Sequence, residues 1–270
     1  MCLDRDRLVA ETFVAGVEHH AVLGSTNDHA RDVAAAPPPL PWLMIADAQT
    51  AGRGRGTNTW WTGGGSLAAS LLIDPAAWSI PRDRTPRIGL ATAVAACDAV
   101  RPLLPPETTV GLHWPNDVYL TRRDEQGTPI ERKLGGVLIE GLPGGLVVVG
   151  IGINTNNSLR DAPDDLRGIA TSLVDLTGRS HDRTEFLIAL MQGLERSLAD
   201  LGRAPDAFGR RFDRLCLQRG RQLAVRSGSE TIRGQCQGVA VDGALCLATE
   251  TGPRRLYSGV VERDSGTALA

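Results

Sequence analysis

The segment Gln49-Thr50-Ala51-Gly52-Arg53-Gly54-Arg55-Gly56-Thr57-Asn58-Thr59-Trp60-Trp61-Thr62-Gly63-Gly64-Gly65 alternates glycine with arginine and then presents two tryptophans. Glycines let a backbone approach a bound anion closely, and guanidinium forks ligate its oxygens in pairs. The GK[ST] ending of a P-loop is missing, and no helix opens here as a dinucleotide fingerprint requires. The alternative is a flexible surface loop with incidental arginines. Trp60 and Trp61 weigh against it, because an exposed indole usually needs a partner. Stacking on a base or covering a ligand suits them.

Lys133 is the single lysine of the chain, since Lys and Arg together number 29 and the other 28 are arginines. An ammonium is a compact point charge, and a tight anion pocket can exclude the broader planar fork. It opens the strand-like run Lys133-Leu134-Gly135-Gly136-Val137-Leu138-Ile139-Glu140, whose two glycines permit close approach of a ligand. In Val149-Gly150-Ile151-Gly152-Ile153-Asn154 alternating glycines leave one face of a strand bare, either for a flat ligand or for close helix packing. In His113-Trp114-Pro115-Asn116-Asp117 proline interrupts a strand. Asn116 and Asp117 then either face a polar ligand or hold an Asx-type turn. His19, His20, His29 and His181 show no ligand spacing and read as structural or exposed.

These segments need a scaffold. Strands are predicted over 17–23, 42–48, 66–73, 110–120, 134–140 and 146–153, with 121–130 as a polar turn. Helices are predicted for a short amino-terminal stretch, from a cap at Ser25 or Thr26 to about Ala36, over 88–104, and over 186–201 behind Asp182 and Glu185. Strands joined by short connections favour a mixed, largely antiparallel sheet flanked by helices, an α+β fold. From Leu215 short strands over 222–225, 231–240, 244–248 and 254–257 describe a small β-barrel. The expected division is residues 1–214 and 215–270.

A net charge of −2 and a pI near 6.2 argue against a broad nucleic-acid surface. Five cysteines without a CxxC pair indicate neither a disulfide framework nor a zinc site. No apolar run is long enough for a membrane span, and the first residues have no signal-peptide core. A cytoplasmic location is expected.

Ser25-Thr26-Asn27, Gln49 through Trp60, Trp114-Pro115-Asn116-Asp117, Lys133-Leu134-Gly135-Gly136 and Gly150-Ile151-Gly152-Ile153-Asn154 occur in this order. Together they closely resemble the biotin–protein ligases, or holocarboxylase synthetases. The likeness continues through Ala170-Thr171-Ser172-Leu173 into the small carboxy-terminal unit. It implies a catalytic domain like that of class II synthetases and an SH3-like barrel. It also implies a two-step reaction. Biotin carboxylate attacks the α-phosphate of ATP, giving biotinyl-5′-adenylate and pyrophosphate, and the adenylate then acylates a lysine on a biotin carboxyl carrier domain.

By this resemblance Ser25, Thr26, Asn27 and Gln49 border the biotin ureido ring, with Arg53, Gly54, Arg55, Lys133, Gly135 and Gly152 completing the biotin site. Arg53, Arg55, Trp60, Asn116, Asp117, Lys133 and Asn154 form the nucleotide side. Lys133, Arg53 and Arg55 act as electrostatic catalysts on a loop that closes over the adenylate. Mg²⁺ is implied, held through phosphates with Asp117 as a candidate ligand. His113 stands where the family usually has lysine. The chain reaches Ser25 too soon for an amino-terminal winged helix, so DNA binding and repression are expected to be absent. A membrane partner is not expected either, and monomer and homodimer stay open. The alternatives are a lipoate or octanoyl ligase or transferase, and a non-catalytic biotin-binding protein.

Overall fold

Apolar side chains on alternate positions sort onto the two faces of a strand, and three strands of this chain are apolar on both. In a computed structural model, which describes residues 3–262, these are β2, β3 and β7 at the middle of a seven-stranded sheet. In chain order the first elements are α1 (Arg5–Glu11), β1 (Gly16–Leu23), α2 (Thr26–Val33), β2 (Trp42–Gln49) and β3 (Leu67–Ile73). Next come α3 (Ile88–Val100), β4 (Thr109–His113), β5 (Asp117–Arg123), β6 (Pro129–Gly141) and β7 (Val147–Ile153). The strand order is β1-β2-β3-β7-β6-β5-β4. Only β1 and β2 are parallel, and all other neighbours are antiparallel.

After the sheet come α4 (Asp164–Arg167), α5 (Leu173–Thr177), α6 (Arg183–Arg203) and α7 (Pro205–Arg214). Leu43, Ile45, Leu71, Ile73, Val147 and Val149 point to one face, into the core shared with α3 and α6. Met44, Leu72 and Val148 point to the other face and meet Ala30 of α2. The Ala/Gly-rich composition of α3 lets it be buried at twelve of its thirteen positions, pressed between the sheet and α6. Asp182 caps α6 as expected, accepting from Thr184 N at 2.8 Å and Glu185 N at 3.2 Å.

The last elements are β8 (Gln222–Ser227), β9 (Glu230–Val239), β10 (Leu245–Thr249), β11 (Gly252–Leu256) and β12 (Val260–Val261). They form a five-stranded antiparallel sheet in the order β11-β10-β9-β8-β12, in which the four short strands expected of the small barrel are joined by β12. Its apolar side chains, Val225, Ile232, Cys236, Val239, Leu245 and Leu247, join the main core. The connector is stitched on as well: Leu112 N donates to Leu215 O and Leu217 N to Leu112 O, covering the β4 edge. No helix among the described residues is long and apolar enough to cross a membrane.

Three expectations need correction. The strand foreseen over 110–120 is a hairpin of two strands, β4 and β5, which pair with each other around a turn at residues 114–116, where Pro115 has no N–H for a ladder. The turn foreseen over 121–130 shrinks to residues 124–128, since β5 and β6 keep pairing out to Arg123 and Pro129. Helix α7 was not anticipated; Phe208 and Phe212, four apart on one face, bury against the core. Met1, Cys2 and residues 263–270, the outer ends of the two expected units, lie outside the described residues.

Candidate functional site

A row of small side chains crosses the α2 face of the sheet. Cα partners run Ala46–Ala68 between β2 and β3, Ala68–Gly152 to β7, Gly152–Gly136 to β6 and Gly136–Asp117 to β5. The row is a flat floor with a carboxylate at one end. The Trp60 indole lies on it, because a Cβ at Gly152 would stand only 2.5 Å from Trp60 Cε2.

Polar groups form a wall along the floor. Ser25 caps α2, so Thr26 and Asn27 occupy its first turn, and all three are buried. Gln49, at the end of β2, accepts from Thr26 N at 2.8 Å and Thr26 Oγ1 at 3.1 Å, and donates to Thr62 Oγ1. Ser70 on β3 links Thr26 Oγ1 and Asn27 Oδ1. Asn27 Nδ2 donates to Glu140 Oε2 at 2.6 Å. Asn27 has this room only because Gly150 has no side chain; a Cβ there would sit 2.1 Å from Asn27 Oδ1.

The glycine–arginine segment folds as a hairpin. Arg53 bridges Thr59, Gly54 N donates to Asn58 O and Trp60 N to Gly52 O. Gly52 is required by close approach, since a Cβ would lie 2.3 Å from Trp60 O. The two forks diverge. Arg53 lies 2.9 Å from both Asp28 Oδ1 and Glu140 Oε1. Burial opposes its charge, but Glu140 and Asp28 more than offset that and raise its pKa. Arg55 donates instead to Gly259 O, next to β12, at 3.0 Å. Burial draws its pKa down against the opposing charge of Asp117, yet arginine titrates so far above neutrality that it stays cationic.

Lys133 Nζ stands 2.7 Å from Asp117 Oδ2, with the side chain about one-quarter exposed (27%). Its backbone is fixed by Lys133 N to Ile169 O and Thr171 N to Lys133 O, both 2.9 Å. A register shift between Val118 and Tyr119 passes over Leu134, whose side chain is buried. A Cβ on Gly136 would lie 3.6 Å from Lys133 Nζ, so Gly136 is the glycine beside the ammonium. Gly135 packs against Ile153 and Gly152 O instead.

Asn116 turns its amide to Val137 O, and Asn154 turns its own to Thr171 O at 3.1 Å. Asn154 therefore braces the segment that holds the Lys133 backbone. Glu140, Ser70, Asp28 and Glu131 have structural partnerships here that sequence reasoning did not assign. The signal at Glu140 was a carboxylate ending the apolar run Val137–Ile139. His113, in place of a lysine, stacks on Tyr119 at 3.8 Å and lies 2.9 Å from Glu131 Oε2. Arg221, beside the small sheet, contacts the same carboxylate.

The model of the biotin/lipoate A/B protein ligase family matches residues 20–156, and that of the biotin protein ligase C terminal domain matches residues 220–263. The chain is 30% identical over 248 residues to the bifunctional ligase/repressor BirA of Bacillus subtilis, covering 90% of this chain and 73% of that protein. It is 31% identical over 242 residues to the biotin–[acetyl-CoA-carboxylase] ligase of Paracoccus denitrificans, covering 84% and 92%. Among solved structures it is similar to the biotin protein ligase from Aquifex aeolicus in complex with biotin and ATP. That similarity has a TM-score of 0.76 and 26% identity, and covers 92% of this chain and 98% of the other. With both family models matched in order along one chain and relatives alike over most of their length, this chain belongs to the biotin/lipoate A/B protein ligase family and stands among its biotin protein ligases.

Proposed function

We propose that this chain joins biotin to ATP as biotinyl-5′-adenylate and passes the biotinyl group to a lysine amine of a biotin carboxyl carrier domain. The observation that carries this reading is the floor of small side chains Ala68–Gly152–Gly136, roofed by the Trp60 indole, walled by Gln49, Thr26 and Asn27 and ended by the Lys133–Asp117 pair. A flat apolar ring system with a polar edge suits the walled end. An acyl phosphate suits the cationic end.

In this reading Ser25, Thr26, Asn27 and Gln49 hold the ureido group. The biotin carboxylate reaches Lys133, which leaves Asp117 for the incoming anion and steadies the charge that builds as oxygen attacks the α-phosphate. Arg53 anchors the hairpin to Glu140 and Asp28, and Arg55 closes over the phosphate side. Trp60, whose indole rests on Gly152, lifts from the floor to cover the adenine, and Asn116 and Asn154 support the sheet beneath. For Mg²⁺ the donor set fits only in part. Asp117 is a carboxylate facing the phosphate end, so it would hold the ion together with phosphate oxygens, and the ion would screen triphosphate charge. Residues 1–214 act as the catalytic unit and 215–270 as a small unit that touches the loop through Gly259.

The test is pyrophosphate release with ATP and either biotin or lipoate, followed by acyl transfer to a carrier domain. Biotin-dependent release and transfer are expected. Lipoate-dependent release without biotin binding would move the chain to the lipoate enzymes. Biotin binding without release would make it a binding protein.

Arg55→Gly removes the bond to Gly259 O and one cation from the phosphate side. The adenylate should then escape, labelling lysines on bystander proteins, while first-turnover adenylation falls by less than with Lys133 variants. Mass spectrometry of an added bystander reads this out. Labelling confined to the carrier would remove Arg55 from adenylate retention.

A further inference from the structure

Glu18 and His20 stand two residues apart on β1, so their side chains leave the same face of this edge strand. His29, in the first turn and a half of α2, packs over them. Its Nε2 is 2.7 Å from Glu18 Oε2, and His20 Nε2 is 3.1 Å from the same oxygen. The two rings meet edge to face at 4.8 Å. Tertiary packing thus assembles what residue spacing did not show for these histidines.

Two imidazole nitrogens aimed at one carboxylate oxygen resemble a ligand set drawn together. The three donor atoms lie within 4.8 Å of one another, and among the described residues they form the single group of three His, Cys, Asp or Glu that does so. Metal–ligand bonds of about 2.0–2.1 Å place tetrahedral ligand atoms roughly 3.3 Å apart. The two histidine–carboxylate separations of 2.7 and 3.1 Å are shorter and the third lies within 4.8 Å, so an ion would enter by small side-chain shifts. Histidine nitrogens with a carboxylate suit zinc and its neighbours rather than Mg²⁺ or Ca²⁺.

The carboxylate is also oriented from behind. Trp42 Nε1 donates to Glu18 Oε1 at 2.8 Å. The indole occupies the space that Gly16 leaves open, where a Cβ would stand 2.0 Å from the ring. Burial works against ionisation of Glu18, but the hydrogen bonds from His29, His20 and Trp42 outweigh it and hold the carboxyl below its ordinary range. Outer partners of this kind fix ligand orientation in metal sites.

We propose that Glu18, His20 and His29 bind one divalent transition-metal ion of the zinc class, with a fourth position open to water at the sheet edge. The ion clips α2 onto β1. None of the three side chains takes part in the biotin and ATP chemistry, so the site stands whether or not that reading holds.

The test uses the full chain after chelator treatment, titrated with Zn²⁺ by calorimetry and with Co²⁺ by visible spectroscopy. One ion per chain is expected, with four-coordinate Co²⁺ bands and a rise in melting temperature on adding Zn²⁺. His20→Gln and His29→Gln should each weaken binding at least about tenfold, and Trp42→Phe, which keeps a ring but loses the donor, by about 10–100-fold. Circular dichroism checks that each variant is folded, and Glu18→Gln serves if a histidine variant is not. No saturable binding up to about 1 mM Zn²⁺, or unchanged affinity in the folded variants, would overturn the site. Ions held by the free cysteines would show as binding that survives these substitutions.

Discussion

Lys133→Gln should slow adenylate formation by about 10²–10³-fold, the usual effect of removing one preorganised donor that meets charge developing in a transition state. The structure gives the reason for so large an effect. The ammonium is held over Gly136 at the end of the floor, and its backbone is clamped on both sides by residues 169 and 171. Little reorganisation is then needed when the acyl phosphate forms. Asp117, 2.7 Å away, holds the ammonium in place until an anion replaces it.

Lys133→Arg should also lose at least about tenfold, because a planar fork distributes its charge over a larger group and does not fit the same point. Single-turnover pyrophosphate release measures both variants, with circular dichroism confirming the fold. Near-normal rates in folded protein would remove Lys133 from the chemistry.

Glu131→Gln should destabilise the protein by about 2–3 kcal/mol at neutral pH and remove much of its stability gain between about pH 2 and pH 5. Glu131 carries a partly buried side chain, and burial by itself would raise its pKa. His113 and Arg221 reverse that and hold it near about 2, against an ordinary 4.5. The sign follows from proton counting. Near pH 4 the unfolded carboxyl binds a proton that the folded one refuses, so folding is favoured as pH rises. The contribution is complete above the unfolded value and lost as pH falls toward 2. The gap sets a ceiling of about 3 kcal/mol.

Because Arg221 lies beside the small sheet and Glu131 on β6, the loss should appear as weaker coupling between the two sheets. Chemical denaturation across this pH range, for wild type and variant, is the measurement. An unchanged acid limb would show that the pair contributes nothing. Glu18, Asp47 and Asp242 are also held below their ordinary values by their partners, and they add to stability in the same direction.

Much of the scaffold was legible in the chain because its causes are local. The apolar runs over 42–48 and 66–73, the cap at Ser25, the cap at Asp182 and the glycine-rich turns each depend on neighbours a few residues away. The glycine–arginine segment, Lys133 and the spaced glycines of β7 were legible too, because few backbones tolerate those residue types without a reason. Elements whose cause is distant were not. Helix α7 owes its existence to two phenylalanines finding a core made elsewhere.

The sequence by itself therefore determined which residue types are available for anion and ring recognition, and roughly which strands carry them. Only the tertiary structure decided which of them meet. The bulge at Leu134 put Gly136 rather than Gly135 beside Lys133, since one extra residue in a strand reverses the faces that follow. Asn27 found Glu140 across 113 residues, Arg55 found Gly259 across 204, and His29 joined Glu18 across a helix and a strand. Contacts of that kind arise from the packing of whole elements, and no spacing along the chain encodes them.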